Sequence, residues 1–243
     1  ANYQLVIWIL VLFQQTLIKA RIRRGYDPNY WETSRPLAWA GMRLRDDKNE
    51  RDKPIEKNVT YIDFRAELSA FDKFFYFGTV RGLRSRNKQD YIRYQSIHLK
   101  KVFSDKELIL SKSYGRYNNK MIELSEENVN MVSFILGKDY KSAKYVEHSF
   151  FRNKGFSVLF NSNHAQYSEA YAGSGEVAIV GLVNKVLNSP DYSLILLDEP
   201  EVSLHPGAQE RLKVFLLEQI KIKKHQIVLS THSPTLVKGL PKE

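Results

Sequence analysis

Residues Ser193–Pro206 read S-L-I-L-L-D-E-P-E-V-S-L-H-P, and they determine the fold expected for the chain. The apolar run Leu194–Leu197, bounded by turn residues, predicts a strand buried on both faces of a parallel sheet. An unpaired buried carboxylate is costly, so Asp198 and Glu199 are expected where the strand emerges, at the carboxyl edge of the sheet. Ligands bind at that edge, where one acid can hold a hydrated Mg²⁺ while its neighbour polarises an attacking water. The alternative is a buried strand that merely ends in an acidic turn.

The segments on either side of this stretch repeat a strand–helix pattern. Tyr171–Glu176 reads Y-A-G-S-G-E and opens the apolar, helix-length segment Val177–Leu187, and glycines at a helix start leave N–H groups exposed for a phosphate oxygen. Downstream, Ala208–Ile222 has helical spacing, and the short apolar run Gln226–Ser230 ends in Thr231–Pro234, T-H-S-P. This order predicts βαβ units and a right-handed crossover helix.

Four motifs in this order resemble those of a known family. Residues Tyr171–Lys242 look like the C-terminal half of an ABC-type ATPase head of the RecF/SMC/OLD-like group. Ala172–Glu176 resembles the signature motif, Leu194–Glu199 the Walker B strand, Glu201–Pro206 the D-loop region and Ser230–Pro234 the histidine switch. The motif sequence D-E-P-E-x-x-L-H-P is most similar to that of RecF/OLD-like members, many of which serve in bacterial antiphage systems of the Septu and retron-associated kind.

The resemblance implies an α/β P-loop NTPase fold, ATP and Mg²⁺ as cofactors, and a role for each motif residue. Asp198 would hold Mg²⁺, Glu199 would be the general base, and His232 would contact the γ-phosphate. Ser174, Gly175 and Glu176 would bind the nucleotide held by the opposite subunit of a homodimer. The common signature order has its Ser where this chain has Gly173, so the donating hydroxyl stays open. His205 stands where the D-loop often has Asp, and it is either a contact across the dimer or a helix-start residue.

One motif of the family is missing. No G-x-x-x-x-G-K-[ST] Walker A loop occurs in the 243 residues. Two interpretations remain: a segment preceding Ala1 carries the loop, or the protein is a degenerate ATPase that supplies only its signature face. We expect the first, because Asp198, Glu199 and His232 need phosphates to act upon. By itself, the chain is not expected to hydrolyse ATP efficiently.

Composition bounds the class of protein. The chain has 43% hydrophobic and 26% charged residues, no cysteine, and a formal net charge of +10. Disulfides and thiolate metal sites are therefore excluded, and a cytoplasmic protein with a polyanionic partner is favoured. The apolar run Leu5–Phe13 is too short to span a membrane and predicts a buried helix with a basic C-terminal end.

A basic segment in the middle of the chain suggests what that partner is. Residues 79–120 carry eleven Lys or Arg against three acids, with tyrosines and phenylalanine between them. Alternation over Ser96–Phe103 and Glu107–Lys112, with a turn at Tyr114-Gly115, predicts a β-rich lobe. We expect Arg84, Arg86, Lys100 and Lys101 to contact nucleic acid, and a merely solvated lobe remains the alternative.

Further elements complete the predicted layout. A helix is expected over Leu124–Leu136, with Ser125 as N-cap and Gly137 after its end, followed by a strand over Gly155–Phe160. The expected domains are an N-terminal part of the head (residues 1–78), the basic lobe with its connecting helix (79–160), and the motif-bearing part (161–243).

Several functions fit these features. The first is a nucleotide-dependent, dimerising ATPase that acts on or with nucleic acid in antiphage defence or DNA repair, with a possible partner nuclease or defence-system subunit and no membrane. The alternatives are an OLD-type ATP-governed nuclease whose nuclease domain lies outside this chain, a nucleotide-binding scaffold without turnover, and a transporter subunit. The basic lobe and the RecF/OLD-like wording argue against the transporter.

Overall fold

A computed structural model describes residues 5–12, 15–23, 31–33, 35–42, 57–65, 67–82 and 87–240 of the chain. The chain forms two compact units, Ala1–Glu56 and Lys57–Glu243. All of the predicted site residues belong by number to the second unit.

The first unit contains a three-stranded antiparallel sheet of β1 (Leu5–Leu12), β2 (Gln15–Arg23) and β3 (Trp31–Thr33), with β2 in the middle. The prediction of a buried helix over Leu5–Phe13 is therefore wrong, since β1 pairs with β2 along its whole length. Val, Ile and Trp are frequent in this run and favour strands, and a short apolar run does not distinguish a buried helix from a strand. A single turn of 3₁₀ helix, Ala38–Ala40, follows.

The second unit alternates helices with strands. In chain order its described elements are β4 (Val59–Asp63), α1 (Ala70–Phe77), α2 (Lys88–Ser104), β5 (Ser111–Lys112), β6 (Gly115–Arg116), β7 (Ile122–Glu123), α3 (Glu126–Leu136), β8 (Tyr140–His148), β9 (Gly155–Ser162), β10 (Gln166–Ser168), α4 (Ser174–Asn188), β11 (Leu194–Asp198), α5 (Pro206–Lys223), β12 (Gln226–Ser230) and α6 (Pro234–Val237). The predicted helices at α3, α4 and α5 and the predicted strands at β9, β11 and β12 are confirmed.

A parallel three-stranded sheet positions the motif residues. Its order is β12-β11-β4, so the acid-tipped strand β11 lies in the middle with a parallel neighbour on each side. The predicted mixed α/β architecture with a parallel sheet is confirmed. The crossover α5 connects β11 to β12, as the spacing of the motifs predicts.

Only one face of this sheet is fully packed, so the prediction that β11 is buried on both faces is wrong. Ile195 and Leu197 are 0% and 3% exposed, whereas their neighbours along the strand are half-buried. On the flanking strands, Val59, Tyr61 and Val228 are more than half exposed. The apolar run therefore predicts the strand correctly, but it does not distinguish a strand packed on one face from a strand packed on both.

The packed face of the sheet shares one apolar core with three helices, α3, α4 and α5. α4 buries residues all around its circumference, which is typical of a helix enclosed between layers. α3 packs against both α4 and α5, and the Arg211 side chain of α5 donates from Nε to the Ile135 carbonyl oxygen of α3 at 2.9 Å. The predicted N-cap is confirmed: the Ser125 hydroxyl accepts from the Asn128 N–H, and Gly137 follows the helix with φ 66°.

A four-stranded antiparallel sheet, in the order β10-β9-β8-β7, lies against the same core. A second core is largely aromatic and joins α1 and α2 to the segment after β8, with Phe74, Phe150 and Phe151 at its centre. The described residues of the second unit thus form two apolar clusters, and the antiparallel sheet contributes to both.

The prediction of a β-rich lobe is wrong for its first half. Ser96–Phe103 lies inside the helix α2, which begins at its N-cap Asn87, where the side chain accepts from the Asp90 N–H at 2.8 Å. Leu99, Val102 and Phe103 are buried at helical spacing, and the apparent alternation arises because these fall beside polar residues. The turn predicted at Tyr114-Gly115 lies one residue earlier, at Ser113-Tyr114, because Gly115 already begins β6 in the short β5–β6 hairpin.

Across the described part of the chain, no helix combines the length and the apolar content needed to cross a bilayer.

Candidate functional site

Three polar residues form a row at the carboxyl edge of the parallel sheet. Asp63 ends β4, Asp198 ends β11 and Ser230 ends β12, and the strand register places Asp198 directly between the other two. The Ser230 hydroxyl donates to Oδ1 of Asp198, and the Tyr61 hydroxyl lies 3.5 Å from Oδ2. The row therefore brings two carboxylates and a hydroxyl together from three separate parts of the sequence.

Glu199 follows this row directly and has an unusual backbone conformation. Its φ of 47° is in the left-handed region, which few residues other than glycine adopt and which is often found at functional sites. Its N–H donates to the Ser230 carbonyl oxygen at 3.0 Å, which fixes the backbone against β12. The side chain is 17% exposed, and the carboxylate is thus largely shielded from solvent.

Two cationic or potentially cationic groups contact the same oxygen of Glu199. Arg65 Nη2 lies 2.6 Å from Oε1 and His232 Nε2 lies 3.5 Å from it. Both partners are much more exposed than the acid, at 61% for Arg65 and 90% for His232. Asp198, Glu199 and His232, which the motifs selected, are therefore brought together at one edge.

The turn that presents His232 is held by Glu201. Oε1 of Glu201 accepts from the His232 backbone N–H at 2.6 Å. Burial would raise the pKa of Glu201, but backbone donors and the Thr231 hydroxyl lower it overall. Glu201 therefore orients the histidine-bearing turn as a carboxylate.

His205 acts within its own chain as a helix cap. Its Nδ1 accepts from the Gly207 N–H at 3.2 Å, and Pro206 is the first residue of α5. Of the two interpretations of His205, the structure supports the helix-start residue through this hydrogen bond. A contact of His205 across a dimer stays a prediction.

The signature segment begins α4 and packs on the turn after β11. Gly173 is the N-cap and Ser174 the first helical residue, with its side chain exposed. Gly175 is buried, and a Cβ atom there would lie 2.4 Å from the Ser203 carbonyl oxygen. Only glycine allows this approach, so Gly175 has a packing role in its own chain.

The Glu176 side chain is directed into its own subunit. Oε1 accepts from Lys138 Nζ at 2.6 Å, and Oε2 accepts from the hydroxyls of Tyr140 at 2.6 Å and Tyr167 at 2.9 Å. Burial opposes ionisation, yet these donors lower the pKa of Glu176 overall. The carboxylate is thus occupied with fixing α4 to β8 and β10, and its assignment to nucleotide binding stays a prediction.

Other sequence-predicted residues lie elsewhere. Among the described residues, no polar contact joins Ser174 to Glu199 or His232. Lys100 and Lys101 are exposed on α2, whereas Arg84 and Arg86 fall outside the described residues. Sequence reasoning included Ser230 in the histidine-switch segment but missed Tyr61, Asp63 and Arg65; for Asp63, a polar residue at the end of an apolar strand was the available signal.

The oxygen atoms of the edge suit Mg²⁺. No group of three metal-ligating His, Asp or Glu side chains occurs in the described ranges. Mg²⁺ is usually held by one or two carboxylates together with waters and substrate phosphates, so the Asp198 carboxylate beside the Ser230 hydroxyl fits that ion better than a metal with an all-protein cage.

Comparison with known proteins gives both sequence relatives and structural neighbours. The chain is 22% identical to the Septu protein PtuA of Bacillus thuringiensis over 140 residues, which cover 52% of this chain and 34% of PtuA. It is 28% identical to protein ea59 of Escherichia phage lambda over 87 residues, covering 36% of this chain and 17% of ea59. The aligned parts thus span about a third or less of these relatives.

Two solved SMC head domains are structurally similar. That of Thermotoga maritima matches 98% of this chain and 67% of its own, with a TM-score of 0.40 and 13% identity. The Smc head of Pyrococcus furiosus, bound to the C-terminal domain of ScpA, matches 46% of this chain and 29% of its own, with a TM-score of 0.32 and 17% identity.

A family model provides the assignment. The model of the AAA ATPase domain matches residues 44–237, which include the whole parallel sheet, the signature segment and the histidine-bearing turn. The prediction of an ATPase head is therefore confirmed, and the chain belongs to the AAA ATPase domain family.

Proposed function

We propose that this chain is the nucleotide-hydrolysing part of a dimerising ATPase that acts with nucleic acid in antiphage defence. The observation that carries the proposal is the convergence of Asp198, Glu199 and His232 at the edge where Asp63 and Ser230 also end their strands. Each residue type matches a need of phosphoryl transfer: a metal-binding carboxylate, a base, and a group that contacts the γ-phosphate.

The edge residues have separate roles in this proposal. Asp198 and Ser230 hold Mg²⁺, which neutralises charge on the β- and γ-phosphates when bound. Glu199 accepts the proton of the attacking water through Oε2, which forms no hydrogen bond with the described residues, while Arg65 and His232 contact Oε1. His232 is almost fully exposed and can reach a phosphate without a change in the fold.

The signature segment serves the nucleotide of a second copy of the chain. Ser174 is exposed at the start of α4, and the positive end of a helix dipole favours an anion such as a phosphate. Gly175 and Glu176 support it from inside, through the contact with Ser203 and the bonds to Lys138, Tyr140 and Tyr167. ATP would be sandwiched between the edge of one subunit and Ser174 of the other.

The biological setting rests on charge and on sequence relatives. A formal net charge of +10 favours a polyanionic partner, and nucleic acid is the commonest one. Similarity to the Septu protein PtuA supports a role in defence, together with a partner nuclease or another subunit of such a system.

A second candidate is a nucleotide-binding scaffold without turnover. The absence of G-x-x-x-x-G-K-[ST] from these 243 residues favours it. The two candidates differ in whether Glu199 matters, because a scaffold needs the phosphates to be bound but not attacked.

The substitution Glu199→Gln tests the proposal in a form of the protein that carries a Walker A loop. Binding and closure should remain, while hydrolysis should fall about 10²–10⁴-fold, the usual contribution of a general base. Size-exclusion chromatography should then show an ATP-dependent dimer that persists. Glu218→Gln, which removes an exposed carboxylate from α5, is the matched control. Hydrolysis by the Glu199→Gln protein at the wild-type rate would contradict the assignment and leave the scaffold.

A further inference from the structure

A second concave site is lined by a different set of side chains from those at the carboxyl edge of the parallel sheet. It is a cleft of about 560 Å³ between α1, the β5–β6 hairpin, the end of β8 and the start of β9. None of Asp198, Glu199 and His232 lines it. Its volume is within the range of ligand-binding clefts, about 300–1,000 Å³.

The lining of this cleft is strongly basic. Five cationic side chains and two carboxylates line it. One carboxylate, Glu67, forms an ion pair with Lys185, so these two charges cancel. The other, Glu147, accepts from neutral donors, the Asn119 side-chain amide at 2.9 Å and the Tyr145 hydroxyl at 3.3 Å. Once the Glu67–Lys185 pair is set aside, four cations and one carboxylate remain, so the lining has a formal net charge of +3.

Four cations are left: Lys73, Lys112, Arg116 and Lys154. None of them forms an ion pair with an acidic side chain in the part of the chain that the structure describes. They come from three separate segments, namely α1, the hairpin and the residue before β9. Like charges repel, so a fold that collects four of them around one concavity is stabilised when a polyanion binds there.

The exposure of these cations indicates the kind of anion. Lys112, Arg116 and Lys154 line the cleft and are nevertheless exposed to solvent. A small-molecule site buries most of its ligand among converging polar groups, whereas a single-strand groove follows the phosphates with exposed basic side chains.

An aromatic ring completes the wall. Tyr117 is 37% exposed, stacks on Phe150 with ring centroids 5.5 Å apart, and has the Lys112 ammonium 5.5 Å from its centroid. Aromatic rings next to basic side chains are the usual composition of surfaces that bind single strands without sequence preference.

We propose that this cleft binds the sugar–phosphate backbone of single-stranded nucleic acid, with Lys73, Lys112, Arg116 and Lys154 as the phosphate contacts. The proposal rests on the nucleic-acid part of the proposed function and gives that partner a site. It differs from the sequence-based expectation, because Lys100 and Lys101 lie on the outer surface of α2 and not in this cleft.

The test measures binding of a 5′-fluorescein-labelled dT₂₀ strand to the full chain by fluorescence anisotropy at several KCl concentrations. The cleft variant combines Lys73→Gln, Lys112→Gln, Arg116→Gln and Lys154→Gln. The matched control removes the same number of charges from α2, outside the cleft, through Lys88→Gln, Arg93→Gln, Lys100→Gln and Lys101→Gln. Circular dichroism and thermal unfolding check that both variants keep the fold.

In a plot of the logarithm of the binding constant against the logarithm of the salt concentration, the slope is negative. Its magnitude should be smaller by about 3 in the cleft variant, at about 0.7 for each lost single-strand phosphate contact. The control should keep most of the wild-type slope, and unlabelled dT₂₀ should compete better than the same mass of duplex or of free AMP.

Three results would overturn the proposal. A slope that decreases only in the control places the strand on the α2 side, so the cleft assignment fails while the nucleic-acid partner stands. Equal losses in both variants indicate unspecific attraction to the basic protein. Absence of salt-sensitive binding by the wild type removes the partner itself, and leaves the ATPase proposal to its own test.

Discussion

At the scale of single residues, the buried chain His148–Ser157–Glu169 couples two ionisable groups. The Phe150 N–H donates to His148 Nδ1 at 3.2 Å, so Nε2 carries the proton and donates to the Ser157 hydroxyl at 2.7 Å. That hydroxyl donates to Oε1 of Glu169 at 2.5 Å. All three side chains are at least 96% buried, and burial is the main cause of the pKa shifts of both His148 and Glu169.

The two titrations act on stability in opposite directions. Burial raises the pKa of Glu169 from 4.5 to about 7, so its stabilising contribution is complete below pH 4.5 and is lost as the pH rises through 7. Burial lowers the pKa of His148 from 6.5 to about 4, so its contribution is complete above pH 6.5 and is lost as the pH falls towards 4. Between these limits the two effects partly cancel.

The substitution Glu169→Gln should remove this compensation. Relative to wild type, the free energy of unfolding of the variant should fall by about 3 kcal/mol as the pH is lowered from 7 to 4.5, because the variant lacks the stabilisation that wild type gains when Glu169 is protonated. Urea unfolding at four pH values across this range measures the difference, with the exposed-site variant Glu218→Gln as control. A pH profile parallel to that of the wild type would show that Glu169 does not titrate with a raised pKa.

At the scale of elements, the start of α4 depends on close packing against the turn after β11. Gly175→Ala would place a Cβ atom 2.4 Å from the Ser203 carbonyl oxygen and 3.1 Å from Leu204. Relieving this clash requires a shift of the helix backbone or of the turn, and both shifts disturb existing packing. We therefore expect a loss of about 1–3 kcal/mol in the free energy of unfolding.

Gly173→Ala is the matched control two residues away. Its Cβ would have only Glu176 Oε1 nearby, at 3.7 Å, which is an ordinary contact. The loss there should be about 0.5 kcal/mol, from the weaker N-cap alone. Urea unfolding of both proteins compares the two costs, and equal costs would mean that α4 does not rest on Ser203 as described.

Sequence patterns predicted some elements better than others. α3, with its cap at Ser125 and its end at Gly137, was predictable because both signals are local. β1 was misread as a helix and the middle of α2 as a strand, because a short apolar run and a brief alternation fit either state. In α2 the decisive evidence is the aromatic cluster that its buried residues join, and this cluster depends on distant segments.

At the scale of the whole molecule, the motifs predicted the centre of the site but not its surroundings. Short local motifs at the ends of predicted strands identified Asp198, Glu199 and His232 as candidate site residues. Asp63 and Arg65 reach the same edge only because β4 pairs with β11, a pairing between segments far apart in the sequence. A single sequence does not report which strands are neighbours, and the contact of Arg65 with Glu199 was therefore out of reach.

The basic cleft illustrates the same limit. The excess of positive charge is visible in the composition, and its local concentration predicted a basic binding segment at residues 79–120. The cations that converge in the cleft come from α1, the β5–β6 hairpin and the start of β9, and only Lys112 and Arg116 lie in that basic segment. Charge density along the chain indicates a polyanionic partner, whereas the position of a basic cleft depends on how distant segments fold together.

The central claim, an ATP site shared by two copies of the chain, is tested most directly by mixing two inactive variants. Ser174→Arg adds bulk at the exposed start of α4, and His232→Ala removes a phosphate contact from the sheet edge. Each change alone should abolish turnover in a homodimer of a form that carries a Walker A loop. A mixed dimer has both defects in one site, and its other site is intact.

ATPase activity of the mixture is the deciding measurement. Turnover should recover to as much as about a quarter of the wild-type value, because half of randomly paired dimers are mixed and each has one intact site of two. If the two inactive proteins stay inactive after mixing under conditions in which their subunits exchange, the γ-phosphate is not shared between Ser174 of one copy and His232 of the other, and the proposed dimeric site is wrong.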